Sequence, residues 1–118
     1  MKPKTRKTDE GLLRLIRELK KTSNKENVNI WKAVAQNLEK PTRKRANVNL
    51  YKIDKYAKDN EYIIVPGKVL GVGEISKNIN IAAYKFSDSA KSKVKNKMSI
   101  QELLRKNPKG NKTRIIIW

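Results

Sequence analysis

Two arrangements in this 118-residue chain have residue types and spacing that could do chemistry: the glycines Gly67, Gly71 and Gly73, and Ser87 four residues before Lys91. A glycine-rich turn can aim backbone N–H groups at a phosphate, and a lysine one helical turn from a serine can serve as its base. Neither set is complete. A Walker loop places four residues between its first glycine and a Gly-Lys-Ser/Thr triplet, and no such string occurs. The dinucleotide fingerprint needs a glycine three residues beyond Gly73, where Ser76 stands. A serine at a helix start near a surface lysine is commonplace. Asp54, Asp59, Glu61, Glu74 and Asp88 are single acids with no local pairing into general acid and base roles. Cysteine and histidine are absent, which removes disulfides, zinc fingers and every thiol or imidazole mechanism. The sequence thus predicts no catalytic centre, no metal, no cofactor and no small-molecule substrate.

The chemistry that remains is electrostatic. Twenty-nine Lys and Arg against eleven Asp and Glu give a formal charge of +18, and like charges at that density repel unless a polyanion neutralises them. Nucleic acid is the expected partner. A membrane is not, because no stretch approaches the roughly 18 apolar residues of a span. The cations are distributed in patches along the chain, as suits a protein enclosed by folded RNA. The expected phosphate contacts are Lys2, Lys4, Arg6 and Lys7, then Arg43, Lys44 and Arg45 behind the rigid Pro41, with Lys52, Lys68, Lys109, Lys112 and Arg114. Such contacts anchor without reading bases.

Positioning those charges requires folded elements. Residues 1–8 are too polar for a core and read as a basic arm; one domain over residues 9–118 follows. Thr8 or Asp9 can cap a helix over residues 9–21, whose Leu12, Leu15, Ile16 and Leu19 recur on one face. A polar break at 22–29 precedes a second helical face of Ile30, Trp31, Val34, Ala35 and Leu38, with Trp31 expected in the core. Asn49 is placed to cap a third helix, with Val48 and Ile53 at the spacing of a hydrophobic staple.

The pattern then turns β-like. Residues 62–65 form a strand that Pro66-Gly67 should interrupt, and 68–72 a second short one. In a strand over 79–86, Ile79, Ile81 and Ala83 take one face and Ala82, Tyr84 and Phe86 the other, so helices should cover both sides. Ser87 caps a fourth helix reaching about residue 96, and Ser99 with Glu102 has capping-box spacing before Ile100, Leu103 and Leu104. Asn107-Pro108-Lys109-Gly110 ends that helix, and residues 113–117 form a terminal strand. The expected class is α/β: a helical N-terminal part packed with a small mixed sheet. A helix-turn-helix over residues 30–57 is the competing reading, though its 40–47 connection is long and charged for that motif.

Several of these segments resemble one family in order along the chain. Pro41-Thr42-Arg43-Lys44-Arg45-Ala46-Asn47-Val48-Asn49-Leu50-Tyr51-Lys52-Ile53, then Val65-Pro66-Gly67-Lys68-Val69-Leu70-Gly71-Val72-Gly73-Glu74, resemble the archaeal and eukaryotic large-subunit ribosomal protein eighteen family (L18e), relatives of bacterial large-subunit protein fifteen (L15). Ala82-Ala83-Tyr84-Lys85-Phe86-Ser87, Ser99-Ile100-Gln101-Glu102-Leu103-Leu104 and Asn107-Pro108-Lys109-Gly110 continue the likeness. Thr42, where the family often carries a base, and the short link at 96–98 depart from it. The resemblance implies a non-enzymatic structural constituent of the large ribosomal subunit in the cytoplasm, one copy per ribosome, held by large-subunit rRNA and neighbouring ribosomal proteins. It also implies that residues 41–45, the 66–73 turn and the N-terminal arm lie closest to rRNA.

Overall fold

A computed structural model describes residues 10–40 and 45–117. The expected basic arm, the Thr8 or Asp9 cap, Arg43, Lys44 and Trp118 lie outside the described residues.

At the centre is a five-stranded sheet of β1 (Ala46–Asn49), β2 (Tyr62–Leu70), β3 (Asn80–Phe86), β4 (Lys97–Ser99) and β5 (Thr113–Ile115). The α/β class is as expected, but the sheet is not mixed: every pairing is parallel. The path runs β1-β2-β3-β4, and β5 also joins β2. β1 takes Gly67 to Leu70 of β2 and β5 takes Tyr62 to Ile64, so the two short strands follow each other along one edge of the longest. Helices α3 (Leu50–Tyr56), α4 (Asp88–Lys93) and α5 (Ile100–Lys106) connect successive strands, which is what parallel pairing requires. The 71–79 connection has no helix. It runs along α3, from Tyr51 N–H bonding the Val72 carbonyl at 3.0 Å to Lys77 Nζ bonding the Ala57 carbonyl at 2.7 Å.

Both faces of the sheet are covered, as a parallel sheet demands. Val48, Leu50, Ile53, Val65, Val69, Ile81, Ala83, Ala90 and Val94 make one buried cluster under α3 and α4. Leu19, Trp31, Val34, Leu38, Ile64, Ala82, Ile100 and Leu103 make the other, under α1 (Glu10–Glu26), α2 (Ile30–Leu38) and α5. The expected staple pair, Val48 and Ile53, is fully buried within the first cluster.

Several readings of the sequence need correction. The first helix does not stop at residue 21 but reaches Glu26. Ser23 turns inward and donates its Oγ to the Val28 carbonyl, and Asn27 at φ 56° ends the helix with Val28 N–H on the Ser23 carbonyl, so polar side chains extend the helix and then close it. Pro66-Gly67 does not divide two strands; β2 continues through it, and the β2–β3 register slips between Val65 and Lys68. Beyond that slip Phe86 packs with the α3–α4 cluster, opposite to the side assigned by simple alternation. The fourth helix ends at Lys93 rather than near 96, with Val94 already extended at φ −92° and ψ 121°. Finally, residues 30–57 contain a strand between two helices and are not a helix-turn-helix.

Candidate nucleic-acid interface

Several of the cations hold the fold together. Arg45 Nε donates to the Leu38 and Lys40 carbonyls at 3.2 and 3.0 Å, closing the end of α2, and its guanidinium lies 5.4 Å from the centre of the Tyr84 ring. Arg114 grips Glu61 with two bonds, Nε to Oε1 at 3.1 Å and Nη2 to Oε2 at 3.2 Å. Those bonds hold the Glu61 carboxyl below its usual value against the opposing effect of burial, and they raise Arg114 further. Lys77 Nζ caps α3 on the Asp54 and Ala57 carbonyls. Lys93 Nζ bonds the Gly71 and Gly73 carbonyls at 2.8 and 3.2 Å. Burial pushes the Asp54 carboxyl up, but bonds from Ser76 N–H and Oγ, with Lys77 beside them, leave it below the ordinary range.

The glycines turn out to serve the fold as well. A Cβ on Gly67 would collide with the Ala46 carbonyl across the β1–β2 pairing. Gly73, at φ 104°, lies against the Tyr51 backbone, so its close approach is to α3. Gly67 thus serves the β1–β2 pairing and Gly73 the packing of the 71–79 connection on α3.

A different set of cations lines a groove of about 580 Å³ beside the end of β3. β4 pairs with β3 from Ile81 to Ala83, after which the chain turns into α5 at Ile100, and Tyr84, Lys85 and Phe86, the next residues of β3, line the groove. Ser99 fixes that turn: its Oγ accepts the Glu102 N–H at 3.1 Å, and Glu102 Oε1 accepts the Ser99 N–H at 3.1 Å, the expected capping box. On the far wall Ser87 caps α4 through Ala90 N–H, which presents Lys91 to the groove.

Lys68 and Lys85 are in-register partners on adjacent strands, so their side chains leave the same face about 5 Å apart. Like charges directly opposite one another destabilise a sheet. Neither makes an ion pair among the described residues. Lys91 and Lys97 complete four lysines around a floor that includes Tyr84 and Met98. Lys97 leans toward the Val94 carbonyl at 3.4 Å, and Lys85 lies 5.7 Å from the centre of the Tyr84 ring.

Of the expected contact residues, Lys68 is therefore in the groove and Arg45 stands at its margin, over Tyr84. Lys52 is half-buried on α3, and Lys109 and Lys112 are exposed at the turn before β5, apart from the groove. Arg114 is held by Glu61. Lys2, Lys4, Arg6, Lys7, Arg43 and Lys44 are outside the described residues. Sequence reasoning missed Lys85 as a site residue. Lys85 follows the residues of β3 that β4 pairs, and the missing information was β4.

Comparison with known proteins gives this surface a context. The sequence pattern of the family that groups the 50S ribosomal proteins L15 and L18e with their 60S counterpart matches residues 14–97. Among similar proteins, one named "Large ribosomal subunit protein eL18" from Archaeoglobus fulgidus is 47% identical over 116 residues, covering 95% of this chain and 99% of the relative. Proteins of the same name from Methanoregula boonei and Thermoplasma acidophilum are 47% and 43% identical over 114 residues each, covering 93% of this chain and 94% and 95% of their own lengths. The likeness spans nearly the whole chain at this identity, and the chain belongs to the L15/L18e family of ribosomal proteins.

Proposed function

We propose that this chain is a structural constituent of the large ribosomal subunit, present in one copy in the cytoplasmic ribosome, where it binds folded large-subunit rRNA and abuts neighbouring ribosomal proteins. The relatives' names support the subunit, and the charge of +18 supports the polyanion. The observation that carries the reading is the in-register Lys68–Lys85 pair, two cations set opposite each other where an anion between them turns a repulsion into an attraction. The rest of the domain supplies a rigid support, with a basic arm over residues 1–8 adding phosphate contacts. Binding energy comes from many such contacts, since ordering each long side chain costs about 1 kcal/mol or more.

The role is architectural rather than enzymatic. Asp54, Glu61 and Glu102, the acids with the best-defined geometry, are each occupied in holding a loop, a strand or a cap. No helix of the described residues is long and apolar enough to cross a membrane.

The test is cosedimentation. Tagged protein expressed in its own cells should travel with large subunits at one copy per particle and stay through a high-salt wash, because an enclosed protein loses few contacts to screening that strips surface-bound factors. Release at the first wash, or absence from the large-subunit peak, rejects the reading.

A further inference from the structure

We propose that Arg45, Lys85 and Lys68 form one track for neighbouring phosphates of a single RNA strand, with Tyr84 as the positioning residue whose ring holds Arg45 and Lys85 together. This track rests on the RNA-binding reading and deepens it. Two cations share the ring: the Arg45 guanidinium lies 5.4 Å from its centre and Lys85 Nζ 5.7 Å. Both are within the roughly 6 Å over which an aromatic quadrupole attracts a cation. The ring therefore gathers two like charges that repel each other, and it fixes the end of each long side chain before any ligand arrives. Such preorganisation removes part of the ordering cost that phosphate contacts must offset.

The arrangement originates at Pro66-Gly67. Val65 pairs with Ala83 and Lys68 with Lys85, so two residues of β2 stand opposite the one residue Tyr84. In an unbroken register Lys68 would face Phe86; the slip sets it beside Lys85 instead. Gly67 also pairs with Ala46, the first residue of β1, which brings Arg45 to the same end of the sheet. Three segments distant in sequence thus deliver one cation each beside the row that holds Tyr84.

All three cations keep donors for a ligand. Arg45 Nε is taken by the Leu38 and Lys40 carbonyls, which anchors the side chain. A guanidinium carries five N–H donors, and the terminal amino groups of Arg45 bond no other group among the described residues. Those groups form the fork that suits a phosphate. Lys68 and Lys85 are exposed and make no ion pair among the described residues. A nucleic-acid strand carries one phosphate per roughly 3.4 Å of helix axis, so two cations tied to one ring can meet phosphates close together on the same strand. Separate patches, by contrast, would take up strands independently.

The experiment uses the full chain labelled with ¹⁵N and titrated at several salt concentrations with a single-stranded oligouridylate, and separately with polyglutamate. The amides of Arg45, Lys68 and Lys85 should shift along one isotherm. Tyr84→Leu should weaken oligouridylate binding by about three-fold or more and reduce the slope of log K against log salt by about 0.7, the share of one phosphate contact on a single strand. Tyr84→Phe keeps the ring and should retain both quantities. Lys85→Ala should reduce the slope by a similar amount in the unaltered protein and by less beside Tyr84→Leu, because the two changes act on one contact. Different midpoints for the Arg45 and Lys85 amides would overturn the single track, a result read on the unaltered protein whatever the variants do. A folded Tyr84→Leu with its salt slope intact would overturn the positioning role. Equal shifts of the same amides by polyglutamate would overturn the assignment of the track to RNA. In each of those cases retained binding of whole large-subunit rRNA leaves the ribosomal reading standing, whereas loss of that binding too removes both.

Discussion

Trp31 Nε1 donates a 2.6 Å hydrogen bond to the carbonyl of Pro108, joining α2 to the turn that ends α5 across 77 residues of sequence. The indole is fully buried, so this one side chain packs in the α1–α2–α5 core and also satisfies a carbonyl in the turn after α5. Trp31→Phe keeps most of the volume and loses the bond, at a cost of about 1 kcal/mol. Trp31→Ala leaves a cavity and should cost about 3–5 kcal/mol. Urea unfolding monitored by circular dichroism should rank the unaltered protein, Trp31→Phe and Trp31→Ala in that order of midpoint. A midpoint for Trp31→Phe equal to the unaltered protein would show that the bond contributes nothing net.

The Glu61–Arg114 pair ties the start of β2 to β5 and sets an acid limit on stability. The Arg114 bonds hold the folded Glu61 carboxyl below its unfolded value, so the pair's contribution is fully present above the ordinary glutamate range and is lost as pH falls through the lowered folded value. Asp54, also depressed, adds to the same acid limb. Melting temperature should therefore drop as pH is taken from neutral into the acid range, and Glu61→Gln should flatten part of that fall while lowering the neutral plateau. Raised salt should narrow the gap between the two proteins at neutral pH, because Arg114 is partly exposed. Parallel pH profiles for the two would remove Glu61 from the acid limb.

Gly67 is the point at which β1 meets β2, paired with Ala46. A Cβ there meets backbone, which cannot rotate away as a side chain can. Gly67→Ala should cost about 1–3 kcal/mol and should free the amides of β1 ahead of those of β3 in hydrogen exchange. Uniform loss of protection across the sheet would mean that β1 is not a separable edge.

Legibility in the sequence followed the range of the forces involved. The Ser99–Glu102 box, the Ser87 cap and the Leu15, Ile16 and Leu19 face were readable because local bonds and helical period fix them. The cap expected of Asn49 was half right: α3 begins after it, but its side chain accepts from Val72 N–H at 3.4 Å and makes no cap bond. β1 and β4 were unreadable. Four and three residues long, they are strands because β2 and β3 offer them an edge, a fact about distant sequence rather than about Ala46–Asn49 or Lys97–Ser99 themselves. The groove inherits that difficulty, since it exists where β4 stops. Charge pointed to a polyanionic partner, but only pairing put Lys68 beside Lys85.

The basic run 43–45 offers the sharpest separation of fold from binding. Arg45 closes α2 and stacks over Tyr84, so Arg45→Ala should lower the melting temperature by the loss of two carbonyl contacts, about 1–2 kcal/mol. Arg43 and Lys44 are expected to serve phosphate alone, and Arg43→Ala with Lys44→Ala should leave the melting temperature unchanged. That double variant should instead weaken rRNA association and reduce the slope of log K against log salt by about 1.4–1.8, since each phosphate contact contributes about 0.7 to 0.9. Filter binding across a salt titration, beside thermal melts of the free proteins, measures both quantities on the same samples. If the double variant melted early with its salt slope intact, the run would be a structural linker; if Arg45→Ala changed only the slope, its contacts at the end of α2 would be irrelevant to folding, and the whole run would belong to the RNA.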